Sequence, residues 1–70
     1  MILLDTPQWE SLSVNEKRLI GTVYGEGDEL TTSLTPGAAK MVRNLEERGL
    51  ITVTWNERDA TIRLREEGWK

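Results

Sequence analysis

Lys40, Arg43 and Asn44 lie three and four positions apart, so a helix through them presents all three along one side. Two cations and an amide in that arrangement suit recognition of a polyanion that carries hydrogen-bonding edges. Lysine and arginine take phosphate or the guanine edge, and asparagine offers a donor and an acceptor to a base. The residues just before them are Thr35, Pro36, Gly37 and Ala39. They are small, and small residues let the start of a helix come close to a phosphate. Further along, Arg58 and Arg63 fall in a segment of alternating character. A basic tip and a basic outer face there would grip an adjacent phosphate backbone. Lys17 is a further candidate phosphate contact.

The same residues have plainer readings. Lys40, Arg43 and Asn44 are also what a solvated helix face looks like. Arg58, Arg63 and Arg65 can pair with Glu57, Asp59 and Glu66 as weak surface ion pairs. Lys17, with Arg18, near the start of a helix, is most often ordinary surface.

Catalytic chemistry has little to work with. The chain has no histidine and no cysteine. Candidate nucleophiles and bases therefore reduce to carboxylates, lysine, hydroxyls and Tyr24. Glu46-Glu47 and Glu66-Glu67 are adjacent pairs, and neighbours on a helix point apart. Gly25-Glu26-Gly27 lacks the third glycine and the lysine of a phosphate-cradling loop. No metal site, cofactor or enzymatic activity is expected.

The elements that must position these residues can be read from their punctuation. Thr35 is a good N-cap and Pro36 suits the first helical position. Ala38, Met41, Val42 and Leu45 recur at helical spacing and face a core, and Gly49 ends the helix. The spacing predicts a helix over 36–48. Ile51, Val53 and Trp55 then alternate with Thr52 and Thr54, and Ala60, Ile62 and Leu64 with Thr61, Arg63 and Arg65. These two runs predict a hairpin over 51–65 with Asn56-Glu57-Arg58-Asp59 as its loop.

The first half reads as support. Thr6-Pro7 predicts a short helix to Leu12. Ser13-Val14-Asn15-Glu16 is a capping box opening a helix that buries Leu19, Ile20 and Val23 and ends near Tyr24. Asp28 caps an expected very short helix, Glu29 to Leu34, because Leu30 and Leu34 are one turn apart. Ile2 to Leu4 is expected to be a short strand packing beside the hairpin. Trp9, Trp55 and Trp69 are expected in or beside the core. Trp69 should fold back onto the hairpin, since an isolated exposed indole is costly.

Seventy residues make one small domain, 1–70, whose core is marginal in size. The longest apolar run, Ile2-Leu3-Leu4, is too short for a signal peptide or a membrane span. The absence of cysteine permits a reducing compartment, and the expected location is cytoplasmic, without membrane contact. The net charge is −3, which argues against indiscriminate binding to nucleic acid. Its distribution is uneven. Residues 1–35 carry six acids and two bases, residues 36–70 six acids and seven bases. The half with the candidate contacts is the less acidic one.

In that order of elements, the Thr35-Pro36 helix, Leu45-Glu46-Glu47-Arg48-Gly49-Leu50-Ile51, the basic hairpin and Leu64-Arg65-Glu66-Glu67-Gly68 resemble a winged helix-turn-helix domain. The flavour is that of the multiple-antibiotic-resistance regulators (MarR-like), over residues 6 to 68. The resemblance implies an α+β fold with a three-helix core and a C-terminal β-hairpin wing. It also implies sequence-specific binding of double-stranded DNA by a small transcriptional regulator. Helix 36–48 would enter the major groove and the 51–65 wing would rest on adjacent backbone. The size is what a stand-alone phage or mobile-element regulator would have. The family's long dimerisation helices have no counterpart in these residues, so its dimer geometry is not implied. The alternative is a protein-interaction module on the same fold, an adaptor or inhibitor of a host regulator, or a self-associating homodimer.

Overall fold

The computed structural model describes residues 6–69. The expected strand at Ile2–Leu4 lies outside the described residues. Within them the order is α1 (Pro7–Glu10), α2 (Val14–Gly25), β1 (Glu29–Thr32), α3 (Pro36–Glu47), β2 (Ile51–Trp55), β3 (Ala60–Leu64) and a closing 3-10 turn (Glu66–Trp69). The architecture is α+β, three helices on a three-stranded antiparallel sheet ordered β1-β3-β2.

The helix starts follow their capping residues. The Thr6 hydroxyl accepts from the Trp9 amide at 3.2 Å, and Pro7 follows it in α1, which is one turn long. At α2 the Glu16 amide donates to the Ser13 hydroxyl at 3.2 Å, and the Ser13 amide donates to the Glu16 carboxylate at 2.8 Å. At α3 the Ala38 amide donates to the Thr35 hydroxyl at 3.2 Å. Each cap satisfies amides that the first turn leaves without an internal acceptor.

The helix ends are set by left-handed glycines. Gly49 has φ +78, its amide donates to the Glu46 carbonyl at 3.0 Å, and the Leu50 amide reaches back to the Leu45 carbonyl at 3.2 Å. That pair of bonds is a Schellman motif. The same motif closes α2, but at Gly27 (φ 84) rather than at Gly25. There the Gly27 amide bonds the Tyr24 carbonyl at 3.2 Å and the Asp28 amide the Val23 carbonyl at 3.0 Å. α2 itself ends at Gly25, next to the expected end near Tyr24.

The segment expected as a short helix over Glu29 to Leu34 is instead strand β1. It pairs antiparallel with β3, setting Leu30 against Ile62 and Thr32 against Ala60. Leu30 and Thr32 turn inward and Glu29 and Thr31 outward, the alternation of a strand. The Leu30–Leu34 spacing was an ambiguous signal. β-Branched Thr31 and Thr32 fit a pleated surface better than a helix. Among the described residues α2 and α3 are thus joined through a strand and a short Ser33–Thr35 connection, with no helix between them. The second helix of the expected helix-turn-helix pair is absent. The expected two-stranded wing, β2 and β3, is part of a three-stranded sheet in which β3 is the middle strand and β1 its other neighbour. The three helices are α1, α2 and α3, not a bundle built around a short middle helix.

The core lies between the helices and one sheet face. Leu12, Ile20, Val23, Val42, Leu45, Leu50, Ile51, Ile62 and Trp69 are buried together. Ala38 and Met41, also read as core-facing, are half-buried at the edge of this cluster. Trp69 does fold back: it is 3% exposed, and its indole nitrogen donates to the Leu50 carbonyl at 2.8 Å. Arg48 ties α3 to the α1–α2 junction, donating to the Ser11 hydroxyl at 2.7 Å and lying 3.8 Å from the Glu16 carboxylate.

Candidate nucleic-acid interface

Burying Val42 and Leu45 against the sheet fixes the rotation of α3. Its other side, with Gly37, Lys40, Arg43, Asn44 and Glu47, is exposed. The helix stands as a ridge between two open spaces. The larger, about 740 Å³, separates it from the start of α2; Gly37, Lys40, Met41 and Asn44 line it from α3, and Ser13, Asn15 and Glu16 from α2. The smaller, about 180 Å³, lies towards the hairpin loop, between Ala39 of α3 and Trp55 and Arg58 of the hairpin.

Arg43 joins the helix to the hairpin. Its guanidinium lies over the Trp55 ring, 4.2 Å from the centroid. A planar cation on an indole face is attracted by the ring quadrupole, and the contact leaves the guanidinium N–H groups at the rim free to donate. The stack also limits the rotamers of a long side chain before any ligand arrives, which lowers the ordering cost of contact.

The hairpin loop is the four residues Asn56–Asp59 between the paired ends Trp55 and Ala60. It is closed by the Asn56 amide on the Asp59 carbonyl at 2.9 Å and by the Asn56 side chain on the Asp59 carboxylate at 2.9 Å. Arg58 is exposed at this tip, flanked by Glu57 and Asp59. Among the described residues neither Arg58 nor Lys40 is engaged in an ion pair.

Two of the sequence-derived contacts do not join this surface. Arg63 alternates out of the core face of β3, so it projects from the side of the sheet opposite α3. There it lies against Glu29 of β1 at 3.1 Å. Both side chains are more than half exposed (62% and 51%), so the pair is weak, but the direction is set by the strand. Lys17 sits over the Trp9 ring, 5.7 Å from its centroid, and does not line either space. Thr35 and Pro36 are exposed at the start of α3, where the Thr35 hydroxyl is occupied as a cap.

Residues that sequence reading did not place at this surface are Ser13, Asn15, Met41 and Trp55. Trp55 was assigned to the apolar face of its strand, and it is only half-buried there because it lies at the edge of that face. No local spacing links it to Arg43. Among the described residues no cluster of histidine, cysteine, aspartate or glutamate could hold a metal ion, and no helix is long and apolar enough to cross a membrane. Comparison with family models, curated proteins and solved structures finds no match to this chain.

Proposed function

We propose that this protein binds double-stranded DNA, with α3 in the major groove and the β2–β3 loop on the neighbouring backbone, in the manner of a winged helix. The observation that carries the reading is the Arg43–Trp55 stack, which fixes the basic side of α3 beside the hairpin. α3 is a ridge with open space on both flanks, as a helix must be to enter a groove about 12 Å wide. Lys40 and Asn44 share its exposed side, and Arg58 stands at the adjoining tip. In this reading Lys40 and Arg43 meet phosphate or guanine, Asn44 meets a base edge, and Arg58 meets backbone. Pro36, Gly37 and Ala39 let the first turn approach closely. Arg63 and Lys17 are outside the contact surface. Control of transcription by occupancy is the function such binding would serve, and a small MarR-like or other winged-helix regulator is the class it fits.

Fluorescence anisotropy on a mixed-sequence duplex, followed through a salt series, tests the reading. Binding that collapses as salt rises supports it, since counterions are released from each neutralised phosphate. No binding at low salt removes it. The second reading, a protein-interaction module, is favoured by the carboxylates of Glu47, Glu57 and Asp59 and by half-buried Met41 on the same surface. It expects no duplex binding and a partner with a basic surface.

A further inference from the structure

Arg43 has two carboxylates ahead of it on α3, Glu46 and Glu47, three and four positions along. That spacing is the usual one for an ion pair on a helix surface. Among the described residues, however, Arg43 makes no ion pair. Its guanidinium lies over the Trp55 ring instead, 4.2 Å from the centroid. A ring face attracts the cation but accepts none of the hydrogen bonds at its rim. The donors that a carboxylate would occupy therefore remain available. Trp55 is a firm support for them. It is paired with Ala60 at the loop end of the hairpin and packs against the core cluster. Arg43 also differs in place from the other two cations of this surface. Lys40 faces the larger open space, across from Ser13 and Asn15. Arg58 faces the smaller one, by the hairpin loop. Arg43 lines the larger space and leans on Trp55, which lines the smaller, so it stands on the crest between the two. A helix in a major groove turns its flanks to the phosphate strands and its crest to the base edges.

Resting on the duplex-binding reading, we propose that Arg43 is the base-reading residue of this surface, that its base is guanine, and that Trp55 is its positioning residue. Guanine offers O6 and N7 side by side in the major groove, and a planar guanidinium meets both at once. Such a contact needs a fork that is aimed as well as charged. Trp55 supplies the aim, and a guanidinium already held on an indole gives up little freedom when it docks. Phosphate asks less of its partner, since any cation neutralises it. Lys40 and Arg58, on the two flanks and in no ion pair among the described residues, fill that role.

The test begins with short random-sequence duplexes enriched on the immobilised protein. The enriched pool is copied once with guanine and once with 7-deazaguanine, which pairs normally but has carbon in place of N7. Fluorescence anisotropy through a salt series compares the two copies. The expected result is several-fold weaker binding to the 7-deazaguanine copy. Arg43→Lys should bind both copies alike with an unchanged salt slope, because the charge is kept and the fork is lost. Trp55→Leu should shrink the guanine preference, and Trp55→Phe, which keeps a ring face, should retain it. A loss that was only structural would weaken both copies equally. Circular dichroism checks that each variant folds, and Arg43→Lys, a surface change, carries the test whether or not Trp55→Leu does. Salt-sensitive binding without guanine preference, or a preference that survives Arg43→Lys or folded Trp55→Leu, overturns the proposal and leaves the duplex reading standing. No binding to any duplex at low salt overturns both.

Discussion

The Trp69 indole nitrogen donates to the Leu50 carbonyl at 2.8 Å, across a buried contact between the closing 3-10 turn and the start of β2. Leu50 already gives its amide to the Leu45 carbonyl and accepts the Arg65 amide on its own carbonyl. One residue thus joins the end of α3, the end of β3 and the closing turn.

Trp69→Phe keeps most of the apolar volume but leaves that carbonyl with one donor fewer. The expected loss is about 1–2 kcal/mol. Trp69→Ala also opens a cavity and should cost about 3–5 kcal/mol, enough to unfold a domain of this size in part. Urea titration followed by circular dichroism separates the two. Equal effects for Phe and Ala would show that packing does not matter there.

Gly68 and Gly49 should respond differently to alanine. A Cβ at Gly68 would overlap the Gly49 carbonyl oxygen, which is backbone and cannot swing aside. A Cβ at Gly49 meets only the Arg65 guanidinium, at 3.2 Å, a flexible group, and its cost is that of the left-handed φ of +78. Gly49→Ala should therefore destabilise by about 1–2 kcal/mol, and Gly68→Ala by more. Thermal midpoints of the two variants, measured side by side, give the order.

The capping box of α2 offers a third check. Ser13→Ala removes the acceptor for the Glu16 amide and should cost about 1 kcal/mol. Glu16→Ala should cost at least as much, because the same carboxylate caps the Ser13 amide and lies by Arg48. Chemical denaturation reads both, and a neutral Ser13→Ala would mean the box contributes nothing in this context.

For duplex binding, position on the sheet predicts a contrast between arginines. Arg43→Ala should weaken binding by about 1–3 kcal/mol. Arg58→Ala should lower the salt slope by about one unit, as loss of one phosphate contact does. Arg63→Ala should change neither, because its side chain projects from the far face of the sheet. An Arg63→Ala loss matching that of Arg43→Ala would count against α3 as the contact element.

The local signals were legible in the chain. Thr6-Pro7, the Ser13–Glu16 box, Thr35-Pro36 and Gly49 each act within a few residues, and the structure uses each as its chemistry suggests. Alternation placed β2 and β3 and their four-residue loop for the same reason. What was misread depends on distant partners. Glu29–Thr32 is a strand because β3, some thirty residues later, offers it a ladder; the bonded hydroxyls of Thr31 and Thr61, 2.9 Å apart, are separated by 30 positions. Spacing within the segment could not reveal that. The candidate surface was divided in the same way. Lys40, Arg43 and Asn44 share a side by helical period alone, whereas the withdrawal of Arg63 towards Glu29 and the support of Arg43 by Trp55 arise only once the sheet is assembled.

The middle strand of the sheet is made after both of its neighbours. While the chain is being synthesised, β1 and β2 have no ladder to join until residues 60–64 emerge, so the whole sheet must form in one late event. Until then Ile51, Val53 and Trp55 are carried as an unpaired sticky stretch. The growing polypeptide is thus most exposed to wrongful association in the interval between the emergence of β2 and that of β3.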